Sequence, residues 1–323
     1  MKRFLGAALG TGLATVLTVS GSLAVSGLAG GDADPVAAAH RDDPVVTAFM
    51  ATTRGTPWRA AARISLDFPT YHPQGFALVG DKIFMSTVEI IEPTVRYPEP
   101  IDGYDRSPGK GRGHVLVMTR DGRLLQDVVL GEGNAYHPGG IDFDGRSVWV
   151  PVAEYRPNSA AIVYRLDPRT YTAEEAFRVR DHVGGVVRDR VTGEVHGVSW
   201  GSRTLYRWTP GGRQLSRTPN EDHMLDYQDC DYAGFRRQLC SGVTGLARPG
   251  GTYELGGLTL RDLESGDILH QVPFPVFSAA GHVVTRNPVA LEARDGVLRM
   301  FAAPDDAEEV AGTELLVFEA PLP

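Results

Sequence analysis

Tyr136-His137-Pro138-Gly139-Gly140-Ile141, then Asp144-Gly145, then Val148-Trp149-Val150-Pro151-Val152-Ala153-Glu154: the reading of this stretch decides the fold. A run ending in glycines, an Asp-Gly turn and a returning run of β-branched and aromatic residues make an antiparallel hairpin. The pattern recurs. Tyr71-His72-Pro73-Gln74-Gly75-Phe76 turns at Gly80-Asp81 and returns through Ile83 to Glu89. Asp181-His182-Val183-Gly184-Gly185-Val186 returns through Val195 to Trp200, and Asp226-Tyr227-Gln228-Asp229-Cys230 through Leu239 to Thr244. Asn287-Pro288-Val289-Ala290-Leu291 turns at Asp295-Gly296 and returns to Asp305.

A second hairpin follows each of the first four units, with turns at Asp121-Gly122, Asp167-Pro168, Gly211-Gly212 and Ser265-Gly266. Four antiparallel strands per unit, with units starting 45 to 65 residues apart, predict an all-β chain folded as a β-propeller. The last unit has a third strand, Glu314 to Ala320, and then the chain stops. Trp58 to Phe68 is the strand that would complete it, closing the ring and removing two exposed sheet edges. This counts five blades. Six would require strands within Ile90 to Gly113, a Pro-, Gly- and charge-rich stretch that reads as an insertion loop.

Ahead of the repeats, Lys2 and Arg3 precede an almost uncharged run to Leu28, with small-residue cleavage sites at 27–29 and 37–39. Residues 1–39 read as an export signal rather than a membrane anchor, 40–54 as a flexible lead-in and 55–323 as the propeller domain. The chain is therefore expected outside the cell or in its envelope, as a monomer, with no membrane association after cleavage. The net charge is −8 with both signs scattered, and no basic stripe suggests nucleic acid. Cys230 and Cys240 are the only cysteines. They face each other across a hairpin turning near Gly234, which in an oxidising compartment favours a disulfide over two buried thiols.

In a propeller the first strand of each blade lines the central channel. Aligning the units puts His72, His137, His182, Asp226 and Asn287 at one equivalent position, where those strands begin. The second strands end at Glu89, Glu154, Gly201, Thr244 and Asp305. Two polar rings at one channel mouth suit a divalent metal, zinc through imidazole or calcium through carboxylate and amide oxygens. The same repetition would arise if the imidazoles only bonded backbone in the next blade. Tyr71, Tyr136, Trp200 and Tyr227 lie beside these positions and could contact a ligand. Gly197-Val198-Ser199-Trp200-Gly201 has the spacing of a serine-nucleophile elbow, but strand residues follow where a helix is required.

The export signal, the His-Pro-x-Gly starts and the Val148–Glu154 return strand resemble a family of secreted bacterial β-propeller proteins of unknown function, across residues 55–320. More distantly the arrangement is similar to calcium-dependent lactonase and phosphotriesterase propellers of the gluconolactonase and paraoxonase type. That likeness implies metal held by Glu, Asn and Asp at the channel mouth; the His-rich ring and the five blades depart from it. Two functions follow as expectations. One is a metal-assisted hydrolase or lactonase with His137 or His182 as general base. The other is a non-catalytic module binding an extracellular sugar, peptide or cell-wall fragment.

Overall fold

Tight turns set the strand registers. Asp295 and Gly296 both have positive φ, 54° and 76°, and join Val289–Arg294 to Val297–Ala302 without a register shift. That is the two-residue geometry whose twist matches paired strands, and it calls for Asp-Gly. At Asp144 the carboxylate instead caps its own turn, accepting from the amides of Arg146 and Ser147 at 2.8 and 2.7 Å.

The protein is described here by a computed structural model covering residues 43–307 and 313–321. The strands pair as five four-stranded antiparallel blades. From the axis outward, blade 1 is His72–Val79, Lys82–Glu92, Lys110–Thr119 and Leu124–Leu130. Blade 2 has an inner edge broken into Ala135–Pro138 and Asp142–Phe143, then Val148–Glu154, Ala161–Leu166 and Ala173–Val179. Blade 3 is Gly185–Arg188, Val195–Val198, Thr204–Trp208 and Gln214–Pro219. Blade 4 is Asp226–Tyr232, Arg237–Arg248, Gly251–Asp262 and Ile268–Pro273. Blade 5 is Val289–Arg294, Val297–Ala302 and Glu314–Pro321, completed by Arg59–Ser65 from the start of the chain. Arg59 pairs with Glu319 and Ser65 with Glu314, the closure expected from sequence. Cys230 and Cys240 are register partners and form a disulfide.

Two expectations need correction. The stretch 90–113 is not a loop. Its flanks prolong the middle strands of blade 1 as far as the Glu92–Lys110 pair, and its tip folds into a small hairpin, Arg96–Ile101 with Tyr104–Arg106. These strands add no blade. The segment 40–54, read as flexible, contains helix α1, Pro44–Met50. Asp43 caps it through Val45 N–H, Pro44 suits its first turn, and Val45, Val46, Ala48 and Phe49 are buried against blades 4 and 5. The expected export signal lies outside the described residues. Among the described residues no helix is long and apolar enough to cross a membrane.

Blades pack face to face through apolar clusters, and at the axis they meet backbone to backbone. Gly140 N–H donates to Gly184 C=O at 2.9 Å, and Gly140 C=O accepts from Val186 N–H at 3.2 Å. A Cβ on Gly75 would stand 2.7 Å from Gly140 Cα, so only glycine allows blades 1 and 2 this close. From blade 4 the buried Asp229 accepts from Phe76 N–H at 2.6 Å and Ile141 N–H at 3.1 Å. Asp142 likewise accepts from Arg188 N–H and Tyr232 N–H, at 2.9 and 3.0 Å. Two buried aspartates thus stitch four inner strands together.

Candidate functional site

The starts of the first three inner strands bring His72, His137 and His182 into a row. Ring centroids are 6.1 Å apart from His72 to His137 and again from His137 to His182. The outer two rings are held from one side. His72 Nδ1 lies 2.8 Å from Asp306 Oδ1, and His182 Nδ1 lies 2.8 Å from the Glu154 carbonyl oxygen, the end of blade 2's second strand. Asp306 also accepts from Asn287 and Arg286 at 2.8 and 3.0 Å. Burial would raise its pKa, but the bonds from His72, Arg286 and Asn287 prevail and hold the carboxyl below its usual range.

His137 differs from its neighbours. It is 5% exposed and stacks on Tyr155 at 4.1 Å, yet neither ring nitrogen has a hydrogen-bond partner. Burial, reinforced by the two flanking histidines, pushes its pKa well below 6.5. Burial also lowers His182, to about 4. At neutral pH the middle of the row is a neutral imidazole in which one nitrogen is a donor and the other an acceptor. Buried polar atoms in folded proteins are nearly always satisfied, by protein, water, an ion or a ligand, which singles out His137 as the candidate binding group of the row.

Aromatic surface surrounds the row. Trp200 meets His182 edge-on at 4.8 Å and stands 5.7 Å from Tyr155. The blade 1 hairpin reaches across blade 2 to cover it. Arg106 places its guanidinium 4.8 Å from the Trp200 ring, Tyr104 packs 3.4 Å from the Arg156 guanidinium, and Tyr136 Oη donates to Pro108 C=O at 2.6 Å. Asp105 holds Arg106 through two bonds of 2.9 Å.

The fivefold ring expected from sequence closes only in part. Asn287 turns to Pro304 C=O and Asp306, supporting His72 from behind. Asp226 is half-exposed and pairs with Arg203 at 2.7 Å. Glu89 and Glu154 are taken by Arg112 at 2.9 Å and Arg156 at 2.6 Å. Asp305 accepts from Ser278 Oγ at 2.6 Å, and its neighbour Asp306 is the residue that joins the row. Tyr71 stacks on His114 at 4.8 Å, and Tyr227 is buried with its hydroxyl on Asp222 at 2.7 Å. Ser199 receives Thr204 N–H ahead of a 3₁₀ turn, so no nucleophile elbow forms.

Among the described residues no three His, Cys, Asp or Glu side chains are arranged to hold a metal ion. A calcium site of carboxylates and amide fits poorly, because Glu89, Glu154 and Asn287 are each engaged within the protein. Tyr155, Arg106 and Asp306 are site residues that sequence reasoning missed. Tyr155 and Asp306 each directly follow a residue it singled out; Arg106 lay in the stretch set aside as a loop.

No curated protein matches the sequence. Solved structures with similarity include a protein of unknown function from Bacteroides caccae, 12% identical, covering 78% of each chain at a TM-score of 0.43. A luciferin-regenerating enzyme is 11% identical, covering 83% of this chain and 96% of that one at 0.47. Virginiamycin B lyase from Staphylococcus aureus, in a catalytically inactive form with quinupristin, is 10% identical, covering 83% of this chain and all of that one at 0.42. At such scores these likenesses carry nothing to the site. A family model matches residues 36–322, and the chain belongs to that family, the family of unknown function DUF6454.

Proposed function

We propose that this chain is an exported protein that binds a small polar molecule at the mouth of its central channel, beside the histidine row. The observation that carries the reading is His137, buried and neutral with both ring nitrogens unpartnered, in line with two imidazoles anchored from outside the row. Neutral nitrogens can meet the hydroxyls or carbonyl of a sugar, lactone or peptide fragment. Tyr155 and Trp200 supply flat apolar faces for its ring or chain. The test is a melting-temperature screen against monosaccharides, sugar lactones and short peptides, on the wild type and His137→Phe. A stabilising compound that loses its effect in the variant supports the site. A compound that stabilises both equally places binding elsewhere.

A second reading, metal-assisted hydrolysis, is favoured by one observation. His72 and His182 are each tied through Nδ1 to an oxygen, as metal-ligating histidines usually are. His72, His137 and His182 would then hold zinc or a similar ion, after the rings draw closer than 6.1 Å, and the ion would polarise a carbonyl or lower the pKa of water. Zinc titration followed by chelation separates the two readings. Tight stoichiometric uptake that His137→Phe abolishes would favour the metal; none would leave the organic ligand.

A further inference from the structure

A cavity of about 180 Å³ lies between blades 3 and 4, and none of the three row histidines lines it. Val186, Val198, Leu205 and Leu263 give it an apolar lining, while His196 and Arg261 line it with polar groups. Arg261 is unusual. It is 3% exposed, yet its partners are all neutral: Nη1 donates to Asn220 Oδ1 at 3.2 Å, Nη2 to Gly266 C=O at 2.5 Å, and the Tyr227 ring stands 5.5 Å away. Its Nε has no partner at all. The other deeply buried arginine among the described residues, Arg156, holds Glu154 at 2.6 Å. A buried charge is costly unless an opposite charge meets it.

The cavity's own carboxylates do not fill that role. Asp262 accepts from the turn amides of Glu264 and Ser265, each at 2.8 Å, and Glu264 pairs with Arg236 at 2.6 Å. His196 is 8% exposed and its Nε2 is also unpartnered. Burial lowers its pKa to about 4, so it lines the cavity as a neutral imidazole. The space therefore offers the Arg261 cation, with Arg207 on its lining already paired to Glu194 at 2.8 Å, together with a neutral imidazole and an apolar wall. Its volume is below the ~300–1,000 Å³ of pockets for drug-sized ligands.

We infer that this inter-blade cavity binds a small monocarboxylate with an apolar body, its carboxylate against Arg261 and its body against Val186, Val198 and Leu205. A guanidinium suits this head group because its fork can meet both oxygens. The experiment is calorimetric titration of the full exported chain with benzoate and hexanoate, with benzyl alcohol and hexanol as uncharged counterparts. The carboxylates should bind at least about tenfold more tightly than the alcohols, and Arg261→Met should weaken them by about tenfold or more. Should Arg261→Met fail to fold, Ser216→Trp serves instead. Ser216 lines the cavity from the outermost strand of blade 3, so a large ring there should block binding and leave the core intact. Absence of carboxylate binding, equal binding of the alcohols, or binding that survives Ser216→Trp or a folded Arg261→Met would each overturn the inference.

Discussion

Asp229 shows how one side chain can close a ring. Its two oxygens take amides from blades 1 and 2 at 2.6 and 3.1 Å. Asp229→Asn keeps the shape but turns an N–H toward one of those donors, leaving a buried amide unmet. A loss of roughly 1–3 kcal/mol in denaturant unfolding is expected. The histidine row carries a pH signature. His182 gains its proton near pH 4 in the folded chain, against ~6.5 when unfolded. Between those values the unfolded chain binds more protons, so stability falls as pH drops through the window and the loss levels off below it. Buried carboxyls raised by burial, such as Asp229 and Asp231, act in the opposite sense, so the contribution is read as a difference. Wild type should lose roughly 1.4 kcal/mol per pH unit more than His182→Gln between about pH 6 and 5. Parallel slopes would mean that His182 titrates normally. Of the site, the sequence repeat made the backbone positions legible, because equivalent positions in a propeller share a radius and a height. It could not show where side chains turn. Glu89 meets Arg112 across a strand pair, and Asp306 rather than Asp305 reaches His72.

Helix α1 and the disulfide belong to the scale of elements. Seven residues are too few for a helix to stand alone in water, and so short a piece leaves little periodic pattern. Its order comes from packing: Phe49 is fully buried beside Leu258, Phe274 and Leu298. Phe49→Ala should therefore cost ~3–5 kcal/mol, and a chain beginning at residue 54 should melt well below the full one. An unchanged midpoint would mean that the helix does not dock. The hairpin 96–106 escaped sequence reading for a related reason. Its first strand, Arg96–Ile101, is exposed except at Tyr97 and carries two prolines, so it shows no alternation to mark it, and its turn is Asp102-Gly103. Within blade 4 the disulfide spans ten residues of separation. Reducing it should lower stability by about 2–4 kcal/mol, since short loops fall toward the lower end of that range. Thiol titration of unreduced, unfolded protein should find no free sulfhydryl.

For the whole molecule, ring closure and the histidine row both follow from the repeats. The blade count was legible because hairpin turns punctuate every unit and the missing strand of blade 5 could be sought at the other terminus. Arg59–Ser65 supplies it. Removing residues 41–69 should leave an open edge on Glu314–Pro321 and yield aggregates by light scattering. A monodisperse product would contradict closure by this strand. The proposed ligand site at the channel mouth rests on a neutral, unpartnered His137. Nitrogen-15 spectra of histidine-labelled protein test it most directly, recorded from pH 7 to 5 and then with zinc, a monosaccharide and a sugar lactone added. Expected is a His137 that protonates well below the usual ~6.5 and whose accepting nitrogen shifts, saturably, with at least one addition. A His137 that titrates near ~6.5, or whose nitrogens respond to none of the additions, would contradict it.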